Sequence, residues 1–261
     1  MASKFPKMGK ILYGKEWSII IIVANQNEIS IESVKGKPTI LDQKSLSDLL
    51  QFFLKRKTLD PLYITQPQGI VGANIKEMLE MNKAEAAEYA SLGSLVIKAM
   101  LNAPFMIYGF FDRFLLGGGL EIALACDVRV ITSETQIGFP EVTLGIEPGF
   151  KGVELARVRG NSLVNELLFI GMRARGEETN KYSLFHEVIK SDAFAESISL
   201  KKQNMLSASP KALSIIKKRI IRTEFGKFEW DALEFGENFE EDWQNEGMRA
   251  FLEKRKPEFK E

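Results

Sequence analysis

Apolar and polar positions repeat with two periods along this chain, and the switches between them mark its elements. Residues 11–23 read as a first strand region, and the apolar run Ile19-Ile20-Ile21-Ile22-Val23-Ala24 is too short to span a bilayer. Residues 28–34 alternate polar and apolar, as a half-exposed strand does, and Gly36-Lys37-Pro38 is a turn signal. Leu46, Leu49, Leu50, Phe53 and Leu54 have helical spacing. A short strand is expected at 62–65, a loop at 66–72, an amphipathic helix at 84–100 and a buried strand at 105–108. A short helix at 120–125, a strand at 128–132 and a loop at 144–149 follow. Residues 162–171 read as a helix closed by Gly171, 180–184 as a helix and 186–189 as a strand. From Ala193 onward the pattern is helical only.

Strand–helix units followed by an all-helical tail predict an α/β core with right-handed crossovers, over residues 1–192, and a C-terminal helical subdomain over 193–261. No internal repeat or low-complexity linker stands out. At 261 residues the chain can bury a sizeable core unaided. Lys+Arg and Asp+Glu balance at 35 each, so no global field draws it to nucleic acid or an anionic membrane. Cys126 is the single cysteine, which excludes an intramolecular disulfide. The basic stretch 1–10 is not followed by a signal-peptide apolar region, and a cytoplasmic location is the default expectation.

Candidate chemistry concentrates in the most glycine-rich stretch. Glu121 follows Gly117-Gly118-Gly119-Leu120, and Glu141 ends Ile137-Gly138-Phe139-Pro140-Glu141. Glycines let main-chain N–H groups approach a ligand, and a helix starting there aims its positive end at the same spot. That suits a phosphate or a developing enolate oxygen, although no Lys-Ser/Thr follows as a Walker-type loop needs. Gly72 opens a second glycine turn, and two N–H groups from separate loops are what an oxyanion hole requires. Taken alone, the glycines also fit a tight helix–strand contact and the glutamates plain surface charge.

Several motifs together resemble one family. Gly72-Ala73-Asn74-Ile75-Lys76-Glu77-Met78 resembles the Gly-Ala-Asp-Ile-Lys-Glu-Met signature of the crotonase (enoyl-CoA hydratase/isomerase) superfamily. Leu116-Gly117-Gly118-Gly119-Leu120-Glu121-Ile122-Ala123-Leu124-Ala125-Cys126-Asp127 and Gly138-Phe139-Pro140-Glu141-Val142-Thr143-Leu144-Gly145 resemble its two other signature stretches. The tail Glu246-Gly247-Met248-Arg249-Ala250-Phe251-Leu252-Glu253-Lys254-Arg255-Lys256-Pro257 is also similar. The likeness starts near Leu62; upstream, Ala24-Asn25-Gln26-Asn27 and Lys37-Pro38-Thr39-Ile40-Leu41 stand where the family has a CoA-contacting Asn-Arg-Pro stretch.

The resemblance implies a crotonase-like spiral of ββα units with a C-terminal helical subdomain that trimerises. It implies a homotrimer or dimer of trimers acting on acyl-CoA, with no nucleic-acid or membrane partner. Ala73 and Gly118 would supply the oxyanion N–H groups, and Glu121 and Glu141 would be the catalytic carboxylates of an enoyl-CoA hydratase. Gly72, Ile75, Lys76, Gly117 and Phe139 would contact substrate or CoA, and Phe251 and Lys254 a neighbouring subunit's CoA. No resident cofactor is implied, because CoA enters as part of the substrate. Two alternatives stay open: a Δ3-Δ2-enoyl-CoA isomerase or other family acyl-CoA enzyme, and a catalytically silent acyl-CoA-binding scaffold.

His186, the only histidine, is expected to be structural or superficial, and no His/Cys cluster points to metal. Cys126 reads as a small core residue and Asp127 as a local cap or pairing group. Lys217, Lys218, Arg219 and Arg222 read as a basic helix face, either solvated or, as the resemblance implies, reaching CoA.

Overall fold

The computed structural model describes residues 19–25, 27–33, 37–205 and 208–225, with 253, 255 and 258; for 19–25, 33, 76, 79 and 205 it describes the backbone alone. The basic stretch 1–10, Gly36, Phe251 and Lys254 lie outside the described residues, as does the side chain of Lys76.

Eleven strands among the described residues form two sheets. The larger contains β1 (Ile19–Asn25), β2 (Glu28–Ser33), β4 (Leu62–Gln66), β6 (Ile107–Phe111), β8 (Val128–Thr132) and β11 (Glu187–Ile189), in that order. β1 and β2 pair antiparallel, and from β2 to β11 the pairing is parallel. The smaller runs β10 (Arg173–Arg175), β9 (Gln136–Gly138), β7 (Phe114–Leu116), β5 (Ile70–Ala73) and β3 (Thr39–Leu41). Here β10 is antiparallel to β9 and the rest are parallel.

From β2 to β9 consecutive strands alternate between the sheets, so the chain climbs in ββα steps. β2 and β3 lead to α1 (Gln43–Lys55), β4 and β5 to α2 (Ile75–Leu79) and α3 (Lys83–Leu101), and β6 and β7 to α4 (Gly118–Ala125). The architecture is the expected mixed α/β spiral. The repeat that no sequence self-similarity betrays is therefore present as geometry. The helix starts obey local rules: Asp42 and Asn82 close capping boxes at α1 and α3 with Ser45 and Glu85. α5 (Gly152–Arg159) and α6 (Val164–Ile170) follow, and Gly171 ends α6 in the left-handed region.

Period-2 alternation splits the larger sheet between two buried faces. Leu62, Ile64, Ile107 and Phe111 face the main core, which also takes Leu41, Ile70, Leu115 and Ile137 from the smaller sheet. Tyr63, Tyr108, Phe110 and Val130 face the other way, under Phe194 and Ile198 of α7 (Phe194–Met205). α8 (Pro210–Glu224) follows, with Ser209 capping it and Pro210 at its first turn. No strand follows β11 among the described residues, as the sequence pattern expects.

Four local expectations change. The segment 66–72, read as a loop, contains most of β5. Residues 180–184 are not a helix; a 3-10 turn spans Gly176–Tyr182 instead. The three-residue strands β3, β7, β9 and β10 carry no periodic signal of their own. Lys217 does not face solvent: it is 2% exposed, and its Nζ lies 2.8 Å from Asp127 Oδ2 while donating to the carbonyls of Met100 and Phe105. Asp127 Oδ2 also accepts from the N–H of Ile107, so its predicted pairing role ties α8 to the edge of β6. Cys126 is fully buried, as expected, and burial pushes its thiol up to about 12.

Candidate active site

The smaller sheet delivers the candidate residues from one edge. β5 ends at Ala73, β7 leads into Gly118, and β9 leads into Glu141. Gly72 has φ +87, and a Cβ there would sit 3.0 Å from the Leu116 carbonyl oxygen and 3.4 Å from the Gly118 nitrogen. Only glycine allows that backbone to turn and close so tightly. The turn brings the main chain beside Ala73 against the start of α4.

α4 is buried along its whole length, which explains an apolar pattern without a polar face. Its first N–H groups have no partner within the helix, and Gly118, its first residue, lines the cavity. Glu121 sits in that first turn and is 1% exposed. Its Oε1 accepts from the N–H of Phe150 at 2.7 Å, and the N–H of Gly152 at the start of α5 also bonds the carboxylate. The Phe150 ring packs 5.4 Å from that of Tyr89, whose hydroxyl donates to the Leu41 carbonyl at 2.7 Å.

Glu141 belongs to a 3-10 turn, Pro140–Leu144, with Pro140 at its start and Gly145 left-handed at its end. It is 8% exposed. Its Oε2 is buried with no hydrogen-bond partner among the described residues. A Cβ on Gly117, which has φ +52, would lie 2.6 Å from Glu141 Oε1. The glycine run thus makes room for the second carboxylate as well as exposing N–H groups.

Burial raises both acids. Glu121 is pushed up to about 8, chiefly by desolvation; the Phe150 N–H opposes this, and the charge of Glu141 adds to it. Glu141 is pushed up to about 7, again by desolvation. Both carboxyls therefore titrate above the ordinary carboxylate range, chiefly because burial disfavours their charged forms.

Ala73, Gly118, Glu121 and Glu141 line one cavity of about 1370 Å³. Gly72, Ile75 and Gly117 line it too. Phe139, expected as a substrate contact, is fully buried in the main core cluster and does not line the cavity. Pro140 takes its place in the wall. His186 Nδ1 accepts from the Arg129 N–H at 3.1 Å, far from the carboxylates in role, and burial lowers it to about 4. Among the described residues no group of three or more His, Cys, Asp or Glu is placed to hold a metal ion. No helix among them is long and apolar enough to cross a membrane. The residues that sequence reasoning misses are Phe150 and Tyr89, whose contributions are a main-chain donor and a packing wall; neither leaves a motif.

Comparison with known proteins now decides the family. The family model for enoyl-CoA hydratase/isomerase matches residues 70–261. The chain belongs to that family, the crotonase superfamily. A short-chain-enoyl-CoA hydratase of Clostridium acetobutylicum is 32% identical over 97% of this chain and 98% of its own length. A crotonyl-CoA hydratase of Syntrophomonas wolfei is 32% identical over 73% of this chain and 75% of its own. Among solved structures, an enoyl-CoA hydratase/carnithine racemase from Magnetospirillum magneticum superposes with a TM-score of 0.82 at 20% identity, covering 93% of this chain and 95% of that one. That likeness supports the crotonase fold, and the sequence relatives make this an enoyl-CoA hydratase-like enzyme.

Proposed function

We propose that the protein adds water reversibly across a trans-2-enoyl-CoA to give a 3-hydroxyacyl-CoA. The observation that carries this is the pair Glu121 and Glu141, buried in one cavity and electrostatically coupled, beside the main chain of Ala73 and Gly118. In the proposed reaction the thioester oxygen accepts from the N–H groups of Ala73 and Gly118. One ionised carboxylate takes a proton from water as its oxygen bonds to the β-carbon. The π electrons move toward the thioester oxygen, where the two donors hold the enolate. The other carboxyl gives its proton to the α-carbon, so the pair ends with one proton, as it began. Each positioned donor is worth roughly 3–4 kcal/mol and acid–base help about 10²–10⁴-fold. The unpartnered Glu141 Oε2 suits a group that must hold water during turnover.

CoA enters as part of the substrate, and no resident cofactor is required. Gly72, Ile75, Lys76 and Gly117 serve as substrate contacts in this scheme, and Phe251 and Lys254 reach a neighbouring subunit's CoA. Residues 1–192 act as the catalytic core and 193–261 as a helical subdomain of a homotrimer or dimer of trimers. Exposed apolar side chains support association: Phe169 is 75% and Ile170 63% exposed. A cytoplasmic acyl-CoA metabolism is the setting. Loss of the conjugated-thioester absorbance of crotonyl-CoA on adding the protein tests the reaction. Tight binding of butyryl-CoA without any such loss would replace hydration by the silent scaffold.

A further inference from the structure

Arg173 lines the same cavity as Glu141 and has no part in the chemistry above. It opens β10 and lies opposite Gly138, the last residue of β9. A Cβ on Gly138 would come within 3.2 Å of Arg173 Cγ, so the missing side chain there seats the stem of the arginine. Gly138 directly precedes the Phe139-Pro140-Glu141 turn, which couples the position of Arg173 to that of the carboxylate.

The order of groups along the sheet edge is informative. β5, β7, β9 and β10 are neighbours in that order. β10 is antiparallel, so its first residue lies at the edge where the three parallel strands end. Along that edge stand the main chain of Ala73, the main chain of Gly118, the carboxyl of Glu141 and the guanidinium-bearing Arg173. Neighbouring strands are about 4.8 Å apart, which puts β10 roughly 10 Å from β7. A thioester whose oxygen sits at β5 and β7, with its β-carbon toward the carboxylates, continues its acyl chain toward β10.

Arg173 is also available. Glu147 and Glu154 line the cavity, but Glu154 pairs with Lys151 at 3.3 Å, and Arg173 makes no ion pair among the described residues. A guanidinium fork matches a carboxylate in two parallel hydrogen bonds.

We propose that Arg173 is a specificity-determining residue that receives a carboxylate at the far end of the acyl group, so that the substrates include mono-CoA thioesters of short dicarboxylic acids. The direction of the acyl chain rests on the hydratase proposal, and the test separates the two. Calorimetry on the full chain compares glutaryl-CoA with pentanoyl-CoA, thioesters of equal carbon count that lack the double bond and cannot be hydrated. Wild type should bind glutaryl-CoA at least about 10-fold more tightly, the equivalent of one charge-assisted hydrogen bond. Arg173→Met should bring the ratio of the two dissociation constants close to one, and Arg173→Lys should restore part of it. Equal or tighter binding of pentanoyl-CoA by wild type overturns the proposal, and so does a preference that survives in Arg173→Met. Crotonyl-CoA hydration by the same wild-type preparation judges the parent reaction alone: no hydration with the glutaryl preference intact rejects the hydratase and keeps the carboxylate receptor.

Discussion

β4, β6 and β8 of the larger sheet are five residues each and bury side chains on both faces, whereas β7, β9 and β10 of the smaller sheet are three residues each. The long strands carry the packing: their two faces supply much of the main core and all four buried members of the second cluster. The short strands give fewer side chains to the core, Leu115 and Ile137 among them, and fix where loops begin. Ala73 ends the four-residue β5, and Gly118 and Glu141 lie just beyond the ends of β7 and β9. A three-residue strand is enough to hold a loop origin in register, and the loop then has freedom for glycines at positive φ and buried acids that a long strand would not tolerate. The larger sheet is where stability should be lost by mutation, and the smaller one where turnover should be.

The largest expected effect is on turnover. Glu121→Gln and Glu141→Gln should each lower kcat/KM for crotonyl-CoA by about 10²–10⁴-fold, read by steady-state kinetics. Retention of activity in either variant, or a large loss in only one, would favour an isomerase-like division of labour. The same variants should not lose stability, and the sign with pH is definite. A carboxyl raised from 4.5 to about 8 stabilises the fold fully below 4.5, and that contribution disappears as pH rises through about 8. Urea midpoints of Glu121→Gln should therefore fall less than those of wild type across that window.

Lys217→Met tests the other side of the comparison. It leaves Asp127 in a buried site without its cation, and breaking such a pair costs about 3–5 kcal/mol. Urea unfolding should show the loss, with turnover per folded molecule retained. Gly117→Ala comes next: its Cβ meets Glu141 Oε1 at 2.6 Å and its φ is +52, so the carboxylate must shift. Misplacement of a reacting group by about 1 Å costs on the order of 10²-fold, and kcat, read by steady-state kinetics, should fall by that order. His186 predicts a smaller effect on the packing side. Its folded value of about 4 lies below 6.5, so its contribution is present above pH 6.5 and lost as pH falls toward 4. His186→Asn should flatten the acid limb of the stability profile. The smallest effect belongs to Lys44→Ala, which removes an exposed 2.5 Å pair with Asp48 and should cost about 0.3–0.5 kcal/mol.

The two sheets also differ in how legible they are. β2, β4 and β8 lie within a residue or so of the positions that hydrophobic alternation predicts, because their faces are filled by apolar side chains in a regular order. β7, β9 and β10 are too short for a period to show, and Gly69 and Gly72 make β5 look like a loop. The lining of the cavity is nevertheless readable in part. Gly72, Gly117 and Gly118 stand out because close main-chain approach demands glycine, and they line one cavity with Glu121 and Glu141. Phe150 is invisible because it acts through its N–H, a group every residue but proline has. Lys217 is misread because nothing local distinguishes it from Lys218; only the fold brings Asp127 to it. Phe139 is misplaced because a motif position does not say which side of a turn a side chain takes.

The most direct measurement is the pH dependence of kcat for crotonyl-CoA hydration in wild type. Two coupled buried carboxyls raised to about 8 and about 7 should give a bell, falling on the acid side as both become protonated and on the alkaline side as both ionise. A profile that is flat across both values, or that rises or falls with a single titration, would contradict a proton shared between Glu121 and Glu141.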